Sequence, residues 1–113
     1  MPDKLLIVWS SSEKEVAKQL VLLYGSVMLE RNYWSEATIM LWGPSAKLLA
    51  EDAELQEQVL RVQKSGVNFN VCVVCSDEYG VTQKLQELNI APIHTGEMLT
   101  QALKSSDTKV ITF

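Results

Sequence analysis

No apolar stretch in this chain approaches the ~20 residues a membrane-spanning helix needs. A secretory leader is not expected either, because Leu5 to Trp9 is too short for its apolar centre and Asp3 stands in front of it. Positive charge is scarce. Ten Lys and Arg face fourteen Asp and Glu, for a formal net charge of -4, so the basic footprint of a nucleic-acid binder is missing. There is no glycine-rich phosphate loop, no G-x-S-x-G elbow and no pair of carboxylates on one helix face. Nucleotide-binding, serine-hydrolase and glycosidase readings therefore gain no support. Repeats and low-complexity runs are also absent, and the five glycines and three prolines are scattered singly. Hydrophobic residues at 47% and charged residues at 21% are ordinary globular usage, which excludes disorder. The expectation is a cytoplasmic single domain over residues 1–113, able to bury a core without staples. Cysteine is nearly absent as well, and the two that occur, Cys72 and Cys75, share one four-residue window.

What is present alternates in type. Lys4 to Trp9 is a continuous apolar run of strand length, the mark of a strand covered on both faces. Ser10, Ser11 and Ser12 offer helix caps, with Glu13 and Glu15 three residues after a serine, and predict a helix to about Arg31. Ala37 to Trp42 repeats the strand pattern and ends at Gly43-Pro44. Ser45 to Lys64 reads as helix broken near Asp52, and Val67 to Val74 as the third strand. Ser76-Asp77-Glu78 then supplies a cap and first-turn acids for a helix carrying Val81, Leu85 and Leu88. Ile90 to His94, Glu97 to Lys104 and Lys109 to Phe113 complete a strand, helix and strand. Strands alternating with helices predict an α/β fold, a three-layer α/β/α sandwich around a mainly parallel five-stranded sheet.

The first helix carries more apolar surface than one packed face uses. Val16, Leu20, Leu23 and Val27 form one stripe, Ala17, Val21, Tyr24 and Met28 widen it, and Leu22 and Leu29 point elsewhere. That excess predicts a second buried contact, with self-association ahead of simple burial by neighbouring elements.

Ligands of parallel α/β sheets bind beyond the carboxyl ends of the strands. Those ends gather Trp9 with Ser10 to Ser12, Trp42 with Gly43, Cys72 to Ser76, and His94 with Thr95. A C-x-x-C at a strand-to-helix junction of a cytosolic protein reads as redox, sulfur transfer, metal binding or packing. Unpaired N–H groups at the start of a helix favour a thiolate, and a thiol three residues away is placed to resolve a bond formed by the other. The opposing reading is that free cysteine packs as a small hydrophobe, and Cys72 sits among valines. One C-x-x-C with one histidine, His94, is less than a tetrahedral set, so no metal and no cofactor are expected. Trp9 and Trp42 are candidates to wall a binding site or to pack, and Ser10 and Ser76 are candidate polar contacts as well as caps.

Taken together, the serine loop after the first strand, Gly66-Val67-Asn68-Phe69-Asn70-Val71-Cys72-Val73-Val74-Cys75, Tyr79-Gly80-Val81-Thr82, and Lys109-Val110-Ile111-Thr112-Phe113 resemble the DsrE/DsrF-like family. The resemblance spans nearly the whole chain and is distinctive in the cysteine segment. It implies a small cytosolic α/β protein assembled as a homotrimer or homohexamer. Members such as the TusD-type sulfur-relay subunits carry sulfur as a persulfide on one cysteine, at the position Cys72 matches. Other members have a second cysteine three residues on, as Cys75 is here. The implied partners are sulfur donor and acceptor proteins, with Cys72 as sulfur acceptor and Cys75 as resolving partner or helper, although a helix start capped by Ser76 would favour Cys75 as the thiol of lowered pKa. Two rival readings stand beside it, a dithiol/disulfide switch and an oligomeric binding module with inert cysteines.

Overall fold

Leu5, Ile7 and Trp9 of the first strand pack into one layer of helices, while Leu6 and Val8 pack into the other. This two-sided burial is what the unbroken apolar run predicted. A computed structural model describes residues 3–113, and the first two positions of the expected 1–113 domain lie outside the described residues. Strands β1 (Lys4–Trp9), β2 (Glu36–Leu41), β3 (Asn68–Cys72), β4 (Ala91–Ile93) and β5 (Thr108–Thr112) form one sheet in the order β4-β3-β2-β1-β5. Every pairing is parallel, so the sheet expected to be mainly parallel is wholly so.

The strand order sets the layers. From β1 to β4 the chain advances across the sheet in one direction, and right-handed crossovers keep the connecting helices on one face. These are the first helix, built of α1 (Lys14–Val16), a π-helical segment (Ala17–Leu22) and α2 (Leu23–Val27), then α3 (Pro44–Glu51), α4 (Ala53–Lys64), α5 (Val73–Tyr79) and α6 (Thr82–Glu87). The return from β4 to β5 carries α7 (Thr95–Lys104) over the other face, where Met98, Leu99 and Ala102 cover Leu6, Val8 and Met40.

Three boundaries depart from expectation. The first helix stops at Val27 rather than near Arg31, because the Met28 carbonyl accepts the N–H groups of Tyr33 and Trp34 and Asn32 turns the chain with φ 57°. Asparagine tolerates that left-handed geometry better than most residues. The helix expected from Ser76 through Leu88 is two helices, α5 and α6, separated where Gly80 takes φ 71°. The third strand ends at Cys72, two residues short of Val74. Within the first helix, the i→i+5 pattern of the π segment turns Ala17, Val21 and Leu22 inward and leaves Leu20 and Leu23 outside. Gly25 brings this helix close to the sheet, since a Cβ there would lie 3.1 Å from Ile39 Cδ1 and 3.3 Å from Val62 Cγ1.

Candidate functional site

The end of β3 explains itself by hydrogen-bond supply. On one side its last partner is Leu41, paired with Val71, and on the other Ile93, paired with Cys72. A strand prolonged to Val74 would have N–H and C=O groups with no ladder on either side, whereas a helix satisfies them internally. The chain therefore turns directly into α5, and Cys72 rather than Ser76 occupies the cap. Its Sγ accepts from the Cys75 N–H at 3.4 Å, a place usually taken by serine, threonine or aspartate oxygen. Cys72 shares the α7 face of the sheet with Asn70, and only 6% of it is exposed.

Cys75 follows in the first turn of α5 and is half-buried. Its Sγ accepts from the Gly43 N–H at 3.3 Å. Gly43 reaches this position with φ 78° and ψ -138°, a conformation that glycine alone adopts readily, just ahead of Pro44 at the start of α3. Thr95, buried at the first position of α7, brings its hydroxyl to Cys72 from the other layer. Three elements thus converge on two sulfurs.

The two thiols are driven apart in acidity. Burial pushes Cys72 up, but hydrogen bonds from the Cys75 thiol, the Thr95 hydroxyl and the N–H groups of Cys75 and Val74 outweigh it. The net direction for Cys72 is below the ordinary thiol value. Burial also pushes Cys75 up, and there its bond to Cys72, the charge on Cys72 and Glu78 reinforce the effect, with only the Gly43 N–H opposing. The direction favours a thiolate on Cys72 over one on Cys75, the sense in which a nucleophilic cysteine is activated.

The remaining residues singled out from sequence fall in different places. Trp42 is half-buried on the α7 side, and the register that pairs Leu41 with Val71 puts it level with Cys72. Trp9 has no exposed surface and lies in the opposite core, where its carbonyl accepts from Ser45 Oγ and its indole N–H has no partner. Ser10 is bound to Phe113, whose carbonyl accepts from its hydroxyl at 3.0 Å and its N–H at 2.7 Å. Ser76 is buried inside α5, donating to the Val73 carbonyl and lying 2.7 Å from Thr82 Oγ1, so it joins α5 to α6. His94 is exposed at the start of α7. Among the described residues no group of three or more His, Cys, Asp and Glu side chains is placed to hold a metal ion.

Sequence reasoning put Gly43 and Thr95 at the correct sheet edge but gave them no role, since contact between a loop glycine and a thiol has no sequence signature. Asn70 was also passed over. It is buried, its Nδ2 donates to Met98 Sδ at 3.3 Å, and its Oδ1 is unpartnered. Its i, i+2 spacing from Cys72 was the available signal. A hollow of about 390 Å³ at the amino ends of β1 and β2, lined by Lys4, Glu36 and Asp107, lies at the edge of the sheet opposite the sulfurs.

A wholly parallel α/β protein with two unequal, hydrogen-bonded thiols at the carboxyl edge of its sheet is the class these observations define. The chain belongs to the same family as the solved protein BT1422 from Bacteroides thetaiotaomicron, described as a conserved protein of unknown function. The two are 31% identical, with 98% of this chain and 95% of that one covered and a TM-score of 0.93. The ychN protein from E. coli shares the fold, with a TM-score of 0.71, 16% identity and both chains covered in full. No family model and no curated protein matches the chain.

Proposed function

We propose that the chain is a DsrE/DsrF-like sulfur-handling protein of the cytoplasm, in which Cys72 carries sulfane sulfur as a persulfide and passes it to a partner. The observation that carries this reading is Cys72 Sγ at the cap of α5, where the Cys75 N–H donates to it at 3.4 Å, with the Thr95 side chain as a further donor that favours its thiolate. The Cys72 thiolate attacks the outer sulfur of a donor persulfide, becomes Cys72–S–SH, and expels the donor thiolate. An acceptor thiolate then attacks the outer sulfur and Cys72 departs as thiolate. The same donors serve both steps, because a stabilised thiolate is a better leaving group. Mass spectrometry after incubation with a persulfide donor tests the proposal. At the earliest time points wild-type protein is expected to gain one sulfur atom and Cys72→Ser none; equal gain by both removes the proposal, as does a wild type that neither gains sulfur nor converts to a disulfide.

A dithiol/disulfide switch is the second reading, supported by the bond from the Cys75 N–H to Cys72 Sγ at 3.4 Å, which holds the two residues in one turn. The residue resemblance also supports a homotrimer or homohexamer, and Leu20, Leu23, Tyr33 and Ile111 supply exposed apolar surface for it.

A further inference from the structure

Access and reactivity are divided between the two cysteines. Cys72 is 6% exposed, and the less buried Cys75 lies against it. Cys75 lies beside any sulfur held on Cys72, its N–H within 3.4 Å of Cys72 Sγ. The nearest nucleophile to such a sulfur is therefore in the chain itself. Residues three apart on a helix have Cβ atoms about 5–6 Å apart, so a small backbone adjustment of the cap residue Cys72 brings the pair to the ~4 Å of a disulfide. The turn that joins these two is already closed by the bond from the Cys75 N–H to Cys72 Sγ. Cys75 also has a donor of its own, the Gly43 N–H at 3.3 Å, fixed by a glycine conformation in the loop after β2. That donor has no part in loading Cys72; it is placed to stabilise a sulfur anion on Cys75.

We infer that Cys75 resolves the Cys72 persulfide within the chain, releasing its outer sulfur as hydrogen sulfide and leaving a Cys72–Cys75 disulfide. The inference rests on the persulfide reading of Cys72 and adds the fate of the sulfur when no acceptor intervenes. Loading removes the negative charge from Cys72 Sγ, and with it the bond for which Cys75 keeps its proton. Cys75 then gives that proton to solvent, and its thiolate attacks Cys72 Sγ. The Cys72–S bond to the outer sulfur breaks, and hydrosulfide leaves and takes up a proton. In balance, Cys72–S–SH and Cys75–SH give the disulfide and hydrogen sulfide. The outer sulfur is reduced and the Cys75 sulfur oxidised, while Cys72 Sγ keeps the oxidation level it took on loading. An external thiol reductant resets the pair for the next cycle.

The test is a single turnover. Reduced wild-type, Cys75→Ser and Cys75→Ala proteins are loaded with glutathione persulfide, freed of excess reagent, and followed by non-reducing intact mass with trapping of released sulfide. Wild type is expected to gain one sulfur at Cys72, then fall to two hydrogens below its starting mass with one equivalent of sulfide released. Peptide mapping is expected to place the new bond between Cys72 and Cys75. Both variants are expected to retain the sulfur at least about tenfold longer, since they lack the intramolecular nucleophile. Equal retention by wild type and variants overturns the inference, as does migration of the intact sulfur to Cys75. If no protein gains sulfur, the persulfide reading falls and this inference with it.

Discussion

Thr95 is the one donor to Cys72 that a side-chain substitution removes without altering either cysteine. Thr95→Val keeps the branched shape and deletes the hydroxyl. Because the donors lower the Cys72 pKa, losing one raises it, and the thiolate fraction at neutral pH falls. The alkylation rate of Cys72, followed by peptide mapping across a pH series, is expected to shift toward higher pH. The loss near neutrality is a few-fold, bounded by about tenfold per pKa unit, and the two proteins converge where both thiols are fully ionised. A parallel shift at Cys75 alone would contradict the assignment of the hydroxyl to Cys72. Cys72→Ser separates chemistry from structure at the same position. Serine oxygen is among the preferred caps, so urea unfolding is expected to stay within about 0.5 kcal/mol of wild type while sulfur uptake is lost. A large fall in stability would instead favour the packing reading of the cysteine.

Asp52 shows how one residue joins elements, and it is where sequence and structure agree best. Its carboxylate accepts from the Leu55 N–H at 2.9 Å to cap α4, and Lys14 Nζ of the first helix lies 3.0 Å from it. The Leu55 bond first and Lys14 second hold its carboxyl below the usual aspartate range. Asp52→Ala is expected to cost about 1 kcal/mol in urea unfolding at neutral pH. A carboxylate with depressed folded pKa contributes stability above its unfolded pKa, about 3.9, and loses it as pH falls through the lower folded value. The gap between wild type and Asp52→Ala should therefore narrow in acid below that range; a constant gap would mean that the charge plays no part. The break at Asp52 was legible because its cap chemistry is local, and β1 was legible because its burial needs no partner residue to read. The β3–α5 junction was not. Val73 and Val74 are strand formers by propensity, and the helix takes them because β2 and β4 stop first, a fact that lies in other parts of the chain. The cysteines were located from sequence, but Gly43 and Thr95 come from distant segments, and their contacts exist only after the sheet forms. The π segment escaped for a related reason, since a wheel at 100° per residue assumes an unbroken α-helix.

The sheet order separates two regions of the molecule. Both thiols belong to the end of β3, next to the β4 edge, whereas β5 forms the opposite edge beside β1. On that opposite side Leu20, Leu23, Tyr24, Val27, Tyr33 and Phe113 line a groove of about 590 Å³. Leu23 is 57% exposed, and Ile111 of the edge strand β5 is 45% exposed. Scattered apolar residues need no explanation, but a contiguous set beside an open strand edge is an interaction surface or an aggregation liability. A second copy of the chain is the occupant proposed above, and the placement makes assembly separable from chemistry. Wild-type protein is expected to run as a trimer or hexamer at micromolar concentration in light scattering. Leu23→Glu adds a charge to the groove while removing nothing from the core, so its unfolding should stay within about 0.5 kcal/mol of wild type. The variant is expected to run as a monomer and still gain sulfur at Cys72. A monomeric wild type ends the self-association proposal. A monomeric Leu23→Glu that no longer takes up sulfur would place part of the site on the neighbouring copy, against the separation that the sheet order implies.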